Sequence, residues 1–337
     1  MPLIQVNNLT KQFRRPHRIE GPFGGIRTMF TQKYDTTVAV EAVSFSIEEG
    51  ELIGYLGSNG AGKSTTIKML SGILVPSSGE VRVAGLIPWE QREENAIQIG
   101  VVFGQRTQLW WDLPLEDSLR LIGKLYRMET ARFERNRDRL TELLGLAPFL
   151  KTPVRQLSLG QRMRGDLAAA MLYEPRVLYL DEPTVGLDVV AKERMRQFVE
   201  ETNREAGTTI MLTTHDLADV ERLCKRIIFI EKGKVLYDGP VAELKRRYAP
   251  YRMLEVTLAS EITEAGTSLD IVGADVITQE PARLTIRFDP QQVAVADLIT
   301  AVIGRYPVSD ISIVEPDLEG VVREIVEAGE MRGRTSI

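Results

Sequence analysis

Hydrophobic positions along the first two thirds of the chain follow two different periods. Short runs of consecutive or alternating apolar residues, typical of strands, lie between stretches whose apolar residues recur every three or four positions, typical of helices. The strand-like runs are LIQVNNLTKQF, two within VAVEAVSFSIEEGELIGYLG, EVRVAG, IGVVFG, VLYLDE, TTIMLTTH and RIIFIEKGKVLYDG. Helical spacing follows Gly62 and dominates residues 113–150. Alternating strands and helices predict an α/β domain with a mainly parallel sheet.

This regular pattern is interrupted at two places. Residues 14–36 are rich in glycine, proline and arginine and have neither period, which predicts an inserted loop. Beyond about residue 246 the strands MLEVTLAS, ADVITQ, LTIRF and SDISIVE occur with helical segments VAVADLITAVIGRY and LEGVVREIVEAGE. We therefore predict one domain over residues 1–247, with a helical subdomain at about 107–165, and a small accessory α+β domain over residues 248–337.

Composition excludes several classes of protein. The 337 residues contain 42 Lys and Arg against 47 Asp and Glu, and this net charge of −5 argues against a dedicated nucleic-acid binder. With one cysteine and two histidines the chain has no intrachain disulfide, and its composition disfavours a structural zinc site. No apolar run approaches the roughly 18 residues that span a bilayer, and no signal-peptide pattern is present. We expect a soluble protein of a reducing compartment, whose membrane role would require a partner.

A phosphate-binding loop is the most specific motif in the sequence. Residues 57–64, GSNGAGKS, fit G-x-x-x-x-G-K-[ST] between a strand and a helix. Glycines let main-chain N–H groups face phosphate oxygens, and the following helix directs its positive end at the same anion. Lys63 would contact the β- and γ-phosphates, and the Ser64 hydroxyl would hold Mg²⁺. The predicted ATP-binding residues here are Gly57, Ser58, Asn59, Gly60, Ala61, Gly62, Lys63, Ser64 and Thr65.

Two carboxylates end the apolar strand VLYLDE. Asp181 lies at the carboxyl end of a buried strand, where open α/β sheets bind ligands. Mg²⁺ prefers such hard oxygen ligands, so Asp181 is a predicted Mg²⁺ ligand. Glu182 follows directly and is predicted to orient or deprotonate the water that attacks the γ-phosphate.

The segment LSLGQRMR, residues 157–164, lies between these motifs at the start of a predicted helix. With it the chain resembles the ATP-binding subunits of ABC transporters over about residues 1–245, with every diagnostic motif in the family's order. The family's signature usually reads LSGGQ, and Leu159 replaces its first glycine. The resemblance implies that the signature of one subunit completes the ATP site of a second subunit. The matching residues are Ser158, Leu159, Gly160 and Gln161.

The same resemblance implies roles for four more residues. Gln105, in VVFGQ, matches the glutamine that contacts Mg²⁺ or water and links the site to the membrane partner. His215, in LTTHDL, matches the switch histidine near the γ-phosphate, and Asp188, in TVGLD, matches a loop that contacts the facing subunit. Phe13, in LTKQF, matches the aromatic residue that stacks on adenine. A plain core aromatic is the alternative for Phe13, and Tyr34 is a second candidate for the stacking role.

Three features have more than one interpretation. The basic insert is either a solvated surface loop or a contact for anionic lipid or a permease. Trp110 and Trp111 either anchor an interface with a permease or pack within the helical subdomain. The C-terminal domain has no catalytic constellation in its sequence and resembles accessory tails of exporter-type ABC ATPases. Dimer contact, regulation and stabilisation are all open for it.

The resemblance implies an ATPase subunit of a multicomponent exporter of the drug, antibiotic or lipid branch. Two copies, or one copy and a similar ATPase subunit, would enclose two MgATP and act on separate permease subunits, at the cytoplasmic face of the membrane and without nucleic acid. The alternative is a soluble ABC-type ATPase that acts on nucleic acid or ribosomes. It is disfavoured because a compact helical region joins Ser64 to Asp181 and because the chain has a single ATPase domain. A GTPase is disfavoured by the lack of an NKxD motif.

Overall fold

The protein was analysed as a computed structural model that describes residues 2–17, 34–104, 106–214, 216–260, 272–322 and 325. The chain divides into two compact units, Met1–Gly239 and Pro240–Ile337. The sequence predicts a boundary at residue 247, but this division lies before helix Val241–Tyr248. The reason is that the change of pattern near residue 246 marks the end of that helix, which belongs to the second unit.

The first unit contains nine of the strands and seven of the α-helices found in the described residues. The strands are β1 (Ile4–Pro16), β2 (Tyr34–Ile47), β3 (Leu52–Gly57), β4 (Ser78–Val83), β5 (Ile99–Phe103), β6 (Val177–Asp181), β7 (Thr209–Thr213), β8 (Arg226–Glu231) and β9 (Lys234–Pro240). The helices are α1 (Lys63–Leu70), α2 (Arg92–Gln98), α3 (Leu115–Leu125), α4 (Thr130–Leu143), α5 (Leu159–Met171), α6 (Val189–Ala206) and α7 (Leu217–Leu223).

A six-stranded sheet in the order β5-β6-β7-β3-β8-β9 forms the centre of this unit. The five strands from β5 to β8 in that order pair in parallel, as the alternating pattern predicts. Its inner strands β6 and β7 are apolar and buried almost throughout because such a sheet is covered on both faces. The carboxyl ends of β3, β6 and β7 meet at one edge, which brings the phosphate loop next to the end of VLYLDE.

A separate antiparallel sheet, in the order β2-β1-β4, packs Ile4, Val6 and Val43 into the core. β1 and β2 remain paired as far as Pro16 opposite Tyr34. The prediction of a loop over residues 14–36 is therefore wrong at both ends, where residues 14–16 and 34–36 belong to strands. Main-chain pairing continues there although the side chains of the strand ends lack an apolar pattern. The centre of the insert, residues 18–33, lies outside the described residues.

Helices α3, α4 and α5 form a helical region between β5 and β6. Leu119 of α3, Leu140 of α4 and Leu167 of α5 are buried. The Asn136 amide of α4 donates to the main-chain carbonyl of Leu172, 2.9 Å away. Apolar residues at helical spacing therefore predict this region correctly, because local periodicity determines its elements.

The second unit is an antiparallel sheet with a helix against one face. It contains α8 (Val241–Tyr248), β10 (Arg252–Leu258), β11 (Ala274–Glu280), β12 (Arg283–Phe288), α9 (Val295–Arg305) and β13 (Val308–Val314). The strand order is β11-β12-β10-β13, and all neighbours are antiparallel. Leu298 and Val302 of α9 pack with Leu254, Ile286 and Phe288. The predicted last helix begins at residue 318, and most of it lies outside the described residues.

Candidate functional site

The phosphate loop joins β3 directly to α1. Gly62, the last residue before α1, has φ 107°, and a methyl group on it would collide with the carbonyl oxygen of Ala39. Only glycine fits such a left-handed and crowded position without strain. The Lys63 side chain is 5% exposed, and its ammonium donates to the carbonyl oxygens of Gly57 at 2.7 Å and Ser58 at 3.1 Å. The cation is thus held by the loop that precedes it.

Burial lowers the pKa of Lys63 from its ordinary value because the ammonium loses water. The carboxylates of Glu182, Asp181 and Glu231 oppose this shift by favouring the charged form. A phosphate anion at the helix N-terminus would add to their effect. Lys63 is therefore a buried cation whose surroundings favour an anionic ligand.

Ser64 and Asp181 bring two hard oxygen atoms together. The Asp181 Oδ1 atom accepts hydrogen bonds from the hydroxyls of Ser64, at 3.2 Å, and Thr213, at 2.7 Å. Within the described ranges no group of three His, Cys, Asp or Glu side chains is placed to hold a metal ion. Mg²⁺ bound with a nucleotide needs only one or two protein oxygens because phosphates and water complete its octahedron. The Ser64 and Asp181 pair therefore fits Mg²⁺ bound together with phosphate.

Glu182 begins a sharp turn after β6. Its φ of 56° is uncommon for a residue other than glycine, and such conformations typically cost about 1–3 kcal/mol. Its main-chain N–H donates to the carbonyl oxygen of Thr213 at 2.9 Å. Gly104, at the end of β5, donates to the carbonyl oxygen of Asp181 at 2.8 Å, and a methyl group on Gly104 would collide with the carbonyl oxygen of Glu182. Two neighbouring strands therefore hold this strained turn in place.

These groups line two clefts that share Asn59, Ser64 and Glu182. The larger, of about 530 Å³, also contains Asp181 and Arg106. The smaller, of about 180 Å³, is formed mainly by the phosphate loop. The lining residues of the smaller cleft are Ala39, Asn59, Gly60, Ala61, Gly62, Lys63, Ser64, Thr65 and Glu182. A phosphate chain bound in the loop would therefore have its end beside Asp181 and Glu182.

The signature residues lie at the start of α5. Ser158 and Gln161 cap the helix reciprocally: Gln161 N–H donates to Ser158 Oγ at 3.2 Å, and Ser158 N–H donates to Gln161 Oε1 at 2.8 Å. Leu159 packs over Gly186: a methyl group added to Gly186 would lie 2.7 Å from the Leu159 Cδ2 atom. Asp188 in turn caps α6 by accepting from Ala191 N–H at 2.8 Å. The leucine thus joins the signature to the TVGLD loop of the same chain.

Comparisons with known proteins identify the chain. The ABC transporter family model matches residues 40–185. The ABC transporter ATP-binding protein NatA of Bacillus subtilis is 34% identical over 215 residues, which cover 64% of this chain and 87% of NatA. The chain belongs to the ABC transporter family. It is the ATP-hydrolysing subunit of such a transporter, and the predicted family and fold are confirmed.

Two further proteins similar to this ABC ATPase bear on its use. The linearmycin resistance ATP-binding protein LnrL of Bacillus subtilis is 33% identical and covers 69% of this chain and 74% of its own. A dimeric post-hydrolysis structure of the ATP-binding cassette MJ0796, bound to ADP and Pi, has a TM-score of 0.57 and 27% identity. The match covers 71% of this chain and 98% of the MJ0796 chain. Bound ATP products and a dimer are therefore features of a close structural neighbour.

The structure brings together the phosphate loop, Asp181 and Glu182. Gln105 and His215 lie outside the described residues, so their roles stay predictions. Phe13 is half-buried in β1 with the Lys11 ammonium 5.3 Å from its ring centre, and it is not among the described residues that line the two clefts. The adenine-stacking role likewise stays a prediction.

Sequence reasoning missed Thr213, Gly104 and Arg106. Thr213 donates to Asp181, Gly104 supports Glu182, and Arg106 lines the larger cleft. A polar residue at the end of the strand TTIMLTTH was a signal for Thr213, because carboxyl ends of parallel strands meet at one edge. Nothing local marks Gly104 or Arg106, whose positions depend on how β5 pairs with β6.

Proposed function

We propose that this ABC ATPase works as a dimer in which two copies enclose two MgATP molecules. Each nucleotide would lie between Lys63 of one copy and Ser158 of the other. The cluster of Lys63, Ser64, Asp181 and Glu182 around two clefts that share Ser64 and Glu182 is the observation that carries this proposal. The signature supports the second copy, because Ser158 is exposed and is not among the described residues that line the clefts of its own chain.

The face beside the signature has the character of a protein interface. Val185, Val189 and Val190 are 40%, 80% and 65% exposed next to Asp188. Neighbouring exposed apolar side chains are typical of surfaces that bind protein. ATP that binds only the closed dimer would stabilise it by mass action, and hydrolysis would remove that stabilisation.

Within the closed site each residue has one task. Lys63 binds the β- and γ-phosphates, and Ser64, Asp181 and Gln105 would hold Mg²⁺. When bound, Mg²⁺ neutralises charge on the phosphates. Glu182 orients the attacking water and accepts its proton, and His215 would contact the γ-phosphate.

We propose further that the ATPase drives export through separate permease subunits at the cytoplasmic face of the membrane. No described helix is long and apolar enough to cross a bilayer. Trp110 and Trp111 are 42% and 51% exposed, and the Arg162 guanidinium lies 5.3 Å from the Trp111 ring centre. This exposure favours the interface interpretation over packing within the helical subdomain. The second unit, Pro240–Ile337, would then be an accessory domain.

Trapping the dimer tests the proposal. Glu182→Gln should lower hydrolysis by at least about a hundredfold while MgATP still binds, since the general base is lost and the phosphate loop is intact. Size-exclusion chromatography with MgATP should then show a stable dimer, whereas Lys63→Ala should stay monomeric. Glu255→Gln, an exposed substitution in the second unit, is the control and should hydrolyse ATP like the parent chain. An active Glu182→Gln enzyme would remove Glu182 from its role.

A further inference from the structure

A buried carboxylate lies on the helix that begins with the signature. Asp166 is 4% exposed and follows Ser158 by eight residues on α5. Its Oδ1 atom accepts from the Thr107 hydroxyl at 2.9 Å and from the Gln108 main-chain N–H at 3.0 Å. The Gln108 amide donates in turn to the main-chain carbonyl of Asp166 at 3.0 Å. Three hydrogen bonds thus join one turn of α5 to residues 107–108.

Thr107 and Gln108 follow Gln105 by two and three positions in the sequence. On the other side of Gln105, Gly104 donates to the carbonyl oxygen of Asp181 at 2.8 Å. Gly104 and residues 107–108 are therefore held at two points. One point is the end of β6, which carries Asp181, and the other is the signature helix α5.

A buried carboxylate at position 166 lowers the free energy of unfolding relative to a neutral side chain. Burial raises the pKa of Asp166 to about 6, against the hydrogen bonds from Thr107 and Gln108 and the charge of Arg162, which lower it. A buried polar group that served only packing would be cheaper if it were neutral. A charged acceptor, however, makes shorter and stronger hydrogen bonds than a neutral one. The carboxylate therefore gives this connection a strength that an ordinary side chain lacks.

We propose that Asp166 is a positioning residue for ATP hydrolysis, fastening the segment after Gln105 to the signature helix so that the two move together. The inference rests on the proposed roles of Gln105 and of the signature in the facing subunit. A displacement of residues 106–108 is then transmitted to α5 and to Ser158 at its start. The orientation of Ser158 towards the partner's γ-phosphate follows from the state of the cleft in its own chain.

The arrangement separates nucleotide binding from hydrolysis. The hydrogen bonds described above for Lys63, Ser64 and Asp181 involve other groups than Asp166. Loss of the Asp166 carboxylate should therefore leave the binding of MgADP to one chain unchanged. It should lower kcat, because hydrolysis requires the signature to reach the facing site in the correct orientation, and small misplacements cost about tenfold or more.

Four variants of the full chain test this role in ATPase and MgADP-binding assays. Asp166→Ala should lower kcat by about tenfold or more with the Kd for MgADP within about twofold of the parent value. Asp166→Asn keeps an acceptor oxygen without the charge and should recover part of kcat, but not all of it. Thr107→Val, which removes one donor without changing the shape, should lower kcat less. The Thr107 hydroxyl also accepts from Leu109 N–H at 3.1 Å, and that bond is lost in either background. In the double variant Thr107→Val/Asp166→Ala, the threonine change should therefore lower kcat less than it does alone, because its acceptor at Asp166 is already gone.

Asn136→Ala is the matched control. Asn136 is also 4% exposed. The hydrogen bond from its side-chain amide to the main-chain carbonyl of Leu172 joins α4 to the end of α5 without involving residues 104–108. It should lower the melting temperature and leave kcat unchanged. Unchanged kcat in Asp166→Ala, additive effects in the double variant, or an equal loss of kcat in Asn136→Ala would each overturn the inference. Failure of the proposed function itself would appear separately, as full activity in Glu182→Gln.

Discussion

The two units of the chain use a β-sheet in opposite ways. In the first, the parallel sheet is buried on both faces, and the polar groups of the site lie at the edge where β3, β6 and β7 end. In the second, the antiparallel sheet buries one face against α9 and exposes the other, where a groove of about 350 Å³ is lined by Glu255, Thr257, Thr285 and other polar residues. Polar side chains thus line a cleft in each unit, yet their surroundings differ.

That difference explains why chemistry belongs to the first unit. At the edge of the parallel sheet a buried cation, a strained carboxylate residue and a glycine loop are held together by main-chain hydrogen bonds. Such preorganisation stabilises developing charge far better than solvated groups do. The polar face of the second unit is exposed to water, and its described residues show no comparable cluster. We expect the variants below to separate the units accordingly.

The largest effect should come from removing the buried cation. Lys63→Ala should lower ATP hydrolysis by at least about a hundredfold, because the charge that faces the phosphates is lost at a site shielded from water. Phosphate release from MgATP measures this. Lys234→Ala is the control: it removes an exposed lysine of β9 together with its ion pair to Glu41, and it should be active. Substantial hydrolysis by Lys63→Ala would mean that the cleft is not the ATP site.

A pair of core variants should separate folding from catalysis. Phe288 of the second unit and Phe198 of α6 are each 1% exposed, so either change to alanine should cost about 3–5 kcal/mol of unfolding free energy. Phe288→Ala should nevertheless keep basal ATPase activity below its unfolding temperature, while Phe198→Ala should lose it. Thermal unfolding and phosphate release on the same samples measure both. Equal loss of activity would show that the second unit supports the site.

The site shows which features a sequence determines. The phosphate loop is local: a strand, a loop of fixed spacing and a helix are all encoded within residues 52–70, so its geometry follows from the motif. Asp181 and Glu182 are equally predictable because a buried strand ends at them. Thr213 and Gly104 are not, since each reaches the site through the register of a neighbouring strand.

The same distinction holds for the fold. Helical periodicity predicts α3 and α4, whereas the pairing of Pro16 with Tyr34 depends on two segments separated by the insert. The end of the first unit at Gly239 is likewise a matter of tertiary contacts. A change of local pattern near residue 246 reports only the end of α8.

A smaller effect should come from filling the space beside the strained turn. Gly104→Ala would place a methyl group against the carbonyl oxygen of Glu182 and so displace the main chain of Glu182. We expect kcat to fall about tenfold or more, with MgADP binding unchanged. Gly304→Ala in α9, where a methyl group meets no atom within 4 Å, is the control and should leave kcat unchanged. An unaffected Gly104→Ala enzyme would show that the position of Glu182 is not set by β5.

The smallest effect concerns the pH dependence of stability. The pKa of Asp166 is raised from 3.8 to about 6 in the folded protein, so between these values the folded chain holds more protons than the unfolded chain. This carboxylate therefore makes stability fall as pH rises through that window, and its effect is constant above about pH 7. Asp166→Asn lacks this contribution to the pH dependence of stability. Its unfolding free energy relative to the parent should rise by up to about 1.4 kcal/mol per pH unit between pH 5 and 6.

Urea unfolding at pH 5, 6 and 7 measures this difference. Asn136→Ala removes no ionisable group, and the Glu174 carboxyl, whose pKa the Asn136 amide helps to lower, is mainly charged above pH 5. The difference between this variant and the parent chain should therefore be nearly the same at all three pH values. A flat profile for Asp166→Asn as well would mean that the carboxylate is not desolvated in solution. A rising profile would place a titrating charge between residues 107–108 and the signature helix α5, within the first unit. The contrast between the two sheets would then extend beyond the cleft to the helical region that connects it to a second copy.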